Sequence, residues 1–114
     1  MRHKNKIMNK AEKFDKDLRE LASFSRVISH PARLAILKYL AESKSCVSGD
    51  ISDFIPLSRT TVSQHLKELR NSGLIQGDIE GTRINYCLNN SEIEKKYKRF
   101  KKFFSLVRNA EIVC

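Results

Sequence analysis

The sequence predicts a single, mainly α-helical (α+β) domain that carries one β-hairpin before a long last helix. Up to Leu74, apolar residues recur every three or four positions in four segments, which is helical spacing. After Leu74 they alternate with polar residues, as in a hairpin, and from Ser91 the helical spacing returns. A chain of 114 residues suits one domain, spanning residues 1–114.

The composition is strongly basic. The chain has 22 Lys and Arg against 13 Asp and Glu, a formal net charge of +9. Such a surplus favours a polyanionic partner, either nucleic acid or an anionic membrane surface, although a charge that serves only solubility is the simpler alternative. The chain lacks the apolar run of about 18 residues that a membrane span needs, and "MRHKNKIMNK" lacks the apolar stretch of a secretory signal. We expect a cytoplasmic protein with residues 1–10 as a basic arm.

Four helices are predicted before the hairpin. The first begins at about Ala11, and the second lies in "ISHPARLAILKYLAES", where Pro31 suits a first helical turn. The third is a short helix in "SGDISDFI" that turns Phe54 inward and ends before Pro56. The fourth lies in "SRTTVSQHLKELRNSGL", with Ser58 as its N-cap and Gly73 just past its end.

The hairpin and the last helix complete the predicted order. "LIQGDIEGTRINYCL" alternates with a turn at Gly81, which predicts two antiparallel strands. The last helix, residues 91–114, carries an apolar stripe at spacings of 4, 3, 4 and 3 residues, which favours a helical partner. A stripe that packs only on the chain's own core is the alternative. The predicted dimerisation residues are Ile93, Tyr97, Phe100, Phe104 and Val107.

The third and fourth helices form a helix-turn-helix, and the hairpin after them makes the predicted fold a winged helix-turn-helix. In this motif the second helix enters the major groove of DNA, which explains an outer face of short hydroxyls, glutamine and arginine. A merely solvated face is the alternative, and for His65 a place at the border of the core is as plausible as DNA contact. The predicted DNA-binding residues are Ser58, Arg59, Thr60, Thr61, Ser63, Gln64, His65 and Lys67, with Arg83 on the wing.

These segments resemble the ArsR/SmtB family of bacterial winged-helix repressors over about residues 18 to 90. "SHPARLAILKYL" is similar to the family's second-helix entry, "DISDFIPLSRTTVSQHLKELRNSGLI" to its helix-turn-helix, and "EGTRINYCLN" to its wing. The resemblance implies a homodimer, built from the first and last helices, on an inverted-repeat operator in double-stranded DNA. It also implies transcriptional repression that an inducer relieves.

The family's metal sites are not matched. Metal-sensing members carry Cys-Val-Cys-Asp before the short helix, where this chain has Val47, Ser48, Gly49 and Asp50. Cys46 stands one place before the first expected cysteine, and one thiolate does not form a soft-metal site alone. Other members bind zinc through Asp and His on the last helix, which here has neither residue. No metal site of either kind is therefore expected.

Cys46 and Cys114 are the predicted sensor thiols, because some family members join an early and a late cysteine through a sulfur bridge. The two could instead share a thiophilic ion, such as arsenite or zinc, across the dimer; no other cofactor is expected. Cys87 points away from Tyr86 and Leu88 on the second strand and is expected to be an incidental thiol. The alternative that all three cysteines are bystanders in a reducing cytosol stays open.

An enzyme is not expected, because the sequence shows no nucleophile–base pair, no carboxylate pair and no phosphate-binding glycine loop. The alternative function is a winged-helix module that binds RNA or DNA through phosphates, without sequence preference or a sensor site. Sequence selectivity discriminates the two, because only a repressor prefers its operator strongly over random duplex.

Overall fold

The computed structural model describes residues 13–44, 46–80 and 83–114 and confirms a mainly helical fold with a hairpin before a long helix. Within these ranges the chain forms, in order, α1 (Lys16–Val27), α2 (Pro31–Ser43), β1 (Val47–Asp50), a 3₁₀ helix (Ser52–Phe54), α3 (Arg59–Asn71), β2 (Ile75–Glu80), β3 (Arg83–Leu88) and α4 (Asn90–Arg108). The predicted basic arm, residues 1–10, and the predicted turn residue Gly81 lie outside the described residues.

The predicted short helix in "SGDISDFI" is wrong in its first half. Val47–Asp50 is a strand, and only Ser52–Phe54 is helical. β1 pairs antiparallel with β3, which gives a three-stranded sheet in the order β1-β3-β2. Phe54 is also not inward: its side chain is exposed and stacks on Tyr39, with ring centroids 4.8 Å apart.

The core lies where α2, α3 and the sheet meet. From α2 it takes Ile36 and Leu40, and from the sheet Ile75 and Tyr86. The hydroxyl of Tyr86 has no hydrogen-bond partner among the residues that the structure describes. Burial raises the pKa of Tyr86, so this hydroxyl stays neutral. The core residues are Leu21, Val27, Ile36, Leu40, Ile51, Ile55, Val62, Leu66, Leu69, Leu74, Ile75 and Tyr86.

Both predicted ends of α3 are confirmed. The Ser58 side chain accepts a hydrogen bond from the backbone N–H of Thr61 at 3.3 Å, as an N-cap does. At the other end Gly73 has a φ of +86°, the left-handed conformation that glycine adopts most easily. The backbone N–H of Leu74 reaches back to the carbonyl of Leu69, and both side chains are buried, which closes the helix as a Schellman motif.

The last helix differs from the prediction at both ends. Its N-cap is Asn89, whose side chain accepts a hydrogen bond from the N–H of Glu92, and its last residue is Arg108. Residues 109–114 are not helical, so the predicted helix over 91–114 is too long. None of the helices in the described ranges is both long and apolar enough to cross a bilayer.

Candidate nucleic-acid interface

Helix α3, the predicted recognition helix, has two contrasting faces. Val62, Leu66 and Leu69 are fully buried and fix the helix on the core. The opposite side, near the N-terminus, exposes the polar side chains that the sequence marked for DNA contact. Exposed there are Ser58, Arg59, Thr60, Thr61, Gln64 and Lys67, with Ser63 half-buried. The structure therefore brings eight of the nine predicted residues, including His65, onto one 13-residue helix and its N-cap.

The hydroxyl groups at the N-terminal end of α3 stabilise the start of the helix. The Oγ atom of Ser58 lies 2.9 Å from the Oγ1 atom of Thr61 and also accepts the Thr61 N–H. The two side chains thus close the first turn of the helix around the N-cap. The backbone N–H groups of the first turn that remain without a helical acceptor lie at the positive end of the helix dipole, where a phosphate is stabilised.

Arg59 is already engaged by an acidic residue. Its Nη1 atom lies 3.3 Å from Oδ2 of Asp50, the last residue of β1. The other oxygen, Oδ1 of Asp50, accepts hydrogen bonds from the N–H of Ser52 at 2.9 Å and from its hydroxyl at 2.6 Å. The Asp50 carboxylate is therefore held firmly, whereas the Arg59 side chain is 72% exposed and free to rotate toward another anion. The ion pair is weak because water screens it.

His65 lies at the border between α2 and α3 and is half-buried. Its Nδ1 atom accepts a hydrogen bond from Nε of Arg33 at 3.0 Å, and its ring centroid lies 5.2 Å from that of His30. Arg33 also donates a hydrogen bond to the backbone carbonyl of Val27, the last residue of α1. Arg33 on α2 therefore contacts both the end of α1 and His65 on α3. Burial, followed by the electrostatic effects of Arg33 and His30, lowers the pKa of His65. A contact between its remaining nitrogen and DNA stays a prediction.

The wing is built by β2 and β3, which pair from Ile75 opposite Leu88 to Glu80 opposite Arg83. The backbone of Arg83 therefore stands at the tip end of the hairpin, and on its other side it pairs with Asp50. The side chain of Arg83 lies outside what the structure describes, so its contact with DNA stays a prediction.

The predicted pairing of the cysteines is corrected by the structure. Cys46 forms a disulfide bond with Cys87, whereas Cys114 is free and exposed. The interpretation of Cys87 as an incidental thiol is wrong, because β1, which the sequence analysis missed, brings Cys46 directly across from it. With Cys46 in this bond, Cys46 and Cys114 do not form the predicted pair of thiols. The described residues also include no group of three or more His, Cys, Asp or Glu side chains that could hold a metal.

The predicted dimerisation stripe on α4 is divided between two environments. Ile93 packs on the core, and the ring of Phe100 contacts Phe24 of α1 edge-to-face with centroids 6.3 Å apart. In contrast, Tyr97, Phe104 and Val107 are about half exposed in the single chain. An open groove between α1 and α4 is lined by further apolar side chains, Leu18, Leu21, Phe103 and Leu106.

Three residues near this candidate interface were not predicted from the sequence: Asp50 and Arg33, which contact side chains of α3, and Cys87, which pairs with Cys46. Asp50 and Arg33 act through contacts with Arg59 and His65 that join segments far apart in the chain. The pairing of Cys87 with Cys46 depends on β1 and on its register against β3, which sets Val47 opposite Tyr86. The sequence predicted no strand there, so it gave no signal for this pairing.

Comparison with known proteins identifies relatives over the region that holds this interface. The sequence model described as "Bacterial regulatory protein, arsR family" matches residues 30–76, from the N-cap of α2 into β2. The chain is 34% identical over 74 residues to the HTH-type transcriptional regulator YgaV of Escherichia coli (strain K12), covering 65% of this chain and 75% of the relative. It is 31% identical over 77 residues to the transcriptional repressor PagR of Bacillus anthracis, covering 68% of this chain and 77% of the relative.

A solved structure shares the fold. The ArsR-like transcriptional regulator from Rhodococcus sp. RHA1 superposes with a TM-score of 0.57 at 25% sequence identity. The match covers 75% of this chain and 80% of that chain, so it extends beyond the helix-turn-helix.

Proposed function

Because the chain belongs to the ArsR family of bacterial regulatory proteins, we propose that this transcriptional regulator is a homodimeric repressor of an inverted-repeat operator. Members of this family are regulators, in agreement with the prediction that the chain is not an enzyme. The observation that carries the proposal is the outer face of α3, where polar side chains stand exposed above a fully buried apolar face.

In the proposed complex, α3 enters the major groove with its N-terminal end toward the bases. Gln64 is exposed on this helix and has the amide geometry that pairs bidentately with adenine. Ser58, Thr60 and the free N–H groups of the first turn bind phosphate, which sets the position of the helix. Arg59 exchanges its weak pairing with Asp50 for guanine or a phosphate.

The homodimer in this proposal is supported by the exposed apolar side chains of α1 and α4. Five of these side chains are between 43% and 70% exposed in the single chain: Phe14 just before α1, Leu18 on α1, and Tyr97, Phe104 and Leu106 on α4. A two-fold axis through such a patch pairs identical surfaces and presents two α3 helices to two half-sites, which explains an inverted repeat. A protein of this basic charge has a steep salt dependence on DNA of any sequence.

The proposal is tested by titrating the reduced protein against two fluorescent duplexes of equal length. One carries the region upstream of the protein's own gene, and the other is its scrambled version. We expect a preference on the order of 10³-fold for the first duplex. Equal affinity for both duplexes would contradict the proposed repressor and favour the alternative function, a module that binds nucleic acid through its phosphates.

A matched pair of variants on α3 separates base recognition from phosphate binding. Gln64→Ala is expected to cost roughly 1–3 kcal/mol on the preferred duplex and little on the scrambled one, because a bidentate base contact is lost. The control, Lys67→Ala, is exposed on the same helix and is expected to weaken binding to both duplexes alike and to lower the salt slope by about one. If Gln64→Ala also weakens both equally, Gln64 does not contact bases.

A further inference from the structure

We propose that Cys46 and Cys87 form a reversible thiol-oxidation site at the base of the wing, and that oxidation of this pair weakens operator binding. The inference rests on the proposed function and names its regulation. It differs from the sequence-based expectation in the partner of Cys46, which is Cys87 and not Cys114.

The sheet register brings the two cysteines together. Val47 pairs with Tyr86, so the next position outward on the same ladder sets Cys46 directly opposite Cys87. Their Cα atoms lie 4.3 Å apart, close to the spacing of about 4.5 Å in the non-hydrogen-bonded pairs of an antiparallel ladder. The strands need no shift in register for the bond to form or to break, and this property suits a reversible site.

The pair is accessible to small molecules, because Cys46 is exposed and Cys87 is half-buried. A regulator that binds chromosomal DNA works where thiols are kept reduced, and a disulfide there is usually transient and redox-sensing. Cys114 is also a free and exposed thiol, but it lies in the non-helical tail after α4 and has no partner cysteine left within the chain.

The oxidant in the proposal is a hydroperoxide, with hydrogen peroxide as the probe. The sulfur of the exposed Cys46 attacks one peroxide oxygen, which breaks the O–O bond, forms a sulfenic acid and releases water. The Cys87 sulfur then displaces hydroxide from this sulfenic acid, forming the S–S bond and a second water. Overall two thiols lose two protons and two electrons, the peroxide is reduced to two waters, and a dithiol reverses the bond by exchange.

β1 couples the disulfide to the recognition helix. It is an edge strand of four residues that includes Gly49, and strands this short are weakly held by their ladder alone. Its first end adjoins Cys46, and its last residue, Asp50, pairs with Arg59 at the start of α3. Oxidation fixes β1 on β3 and so keeps Asp50 where it competes with DNA for Arg59, whereas reduction loosens β1 and weakens this competition.

The experiment uses Cys114→Ser as the reference protein, since this change removes the unpaired thiol and keeps the pair. Reduced and peroxide-treated samples are titrated against the upstream and scrambled duplexes, and intact mass records the loss of two hydrogens. We expect the oxidised sample to bind the upstream duplex weaker by on the order of fivefold, the size of one exposed ion pair, with recovery after dithiol treatment. Adding Cys46→Ser or Cys87→Ser should abolish this difference, and circular dichroism verifies that both fold.

The outcomes distinguish the two proposals. If the reduced reference protein shows no preference for the upstream duplex, the proposed function fails. If it shows the preference but the mass-verified oxidised form binds equally well, the thiol site is not regulatory. Asp50→Asn tests the coupling: we expect its oxidised and reduced forms to bind alike, and an undiminished difference would overturn the route through Arg59.

Discussion

His65 shows, at the scale of a single residue, how a side chain on α3 is held by its neighbours. Nδ1 accepts from Arg33, so the proton of the neutral ring is on Nε2. Around His65, Arg33 on α2 and His30 at the N-cap of α2 both lower its pKa. Glu68 on α3 raises this pKa, by less than burial lowers it. The neutral form is therefore the one that the fold favours.

This environment predicts a pH dependence of stability. The folded pKa of His65 is lowered, so the unfolded chain binds the proton more tightly than the folded chain. The stability contributed by neutral His65 is complete above the unfolded pKa of about 6.5 and is lost as the pH falls through the folded pKa. Urea unfolding across that range is expected to show wild type losing more stability at low pH than His65→Gln, which does not titrate. Identical pH profiles would contradict the prediction.

Gly77 sets the geometry of the wing at the scale of one element. It pairs with Tyr86 at the centre of the β2–β3 hairpin and has a φ of +129°, a backbone angle that residues other than glycine rarely adopt. A Cβ atom there would overlap the carbonyl oxygen of Asn85 and would lie 2.9 Å from Cα of Tyr86. The strands can approach as they do only because this position has no side chain.

Gly77→Ala is therefore expected to lower the free energy of unfolding by about 1–3 kcal/mol, through backbone strain and the overlap with β3. The measurement is urea unfolding, with DNA titration of the folded variant as a second readout. Gln76→Ala provides the matched control, because this neighbouring residue on β2 is exposed and has no unusual backbone angle. A Gly77→Ala protein as stable as the control would show that the hairpin adapts without cost.

The elements that the sequence predicted well are those with long periodic patterns or distinct end signals. α3 is the clearest, because Val62, Leu66 and Leu69 repeat at helical spacing between a serine cap and a glycine stop. β1 was missed because four residues ending in Gly49 and Asp50 have little strand propensity of their own. This strand exists because β3 offers it a free edge, which is a long-range effect that local patterns do not encode. The disulfide follows from that same pairing.

The candidate site was likewise predictable only in part. The exposed outer face of α3 was predictable, since the inward stripe fixes which side faces out. The contacts that hold Arg59 and His65 were not, because Asp50 and Arg33 come from β1 and α2 and meet α3 only in the folded chain. The half-buried place of Phe100 against Phe24 likewise depends on how α4 crosses α1.

At the scale of the whole molecule, several large apolar side chains stay exposed in the single chain. On α4, Phe104 is 46% exposed and Val107 is 53% exposed, and the exposed side chains of Leu18 and Leu106 line the groove between α1 and α4. Several large apolar side chains exposed on the same two helices favour a protein–protein interface there. A second copy of this chain is the proposed partner, since two α3 helices are needed for an inverted repeat.

Phe104→Asp is expected to convert the proposed dimer to a monomer, because it sets a charge in an apolar interface. Phe104 suits this test better than Phe100, whose ring packs on Phe24 within the same chain, so that its replacement would also disturb the fold. The matched control is Lys98→Asp, which introduces the same side chain at an exposed position of α4. Sedimentation velocity should report a monomer for Phe104→Asp and a dimer for the control. Operator affinity should fall only in the monomer, because one α3 helix then binds without its partner. A Phe104→Asp protein that stays dimeric would move the interface away from this face of α4.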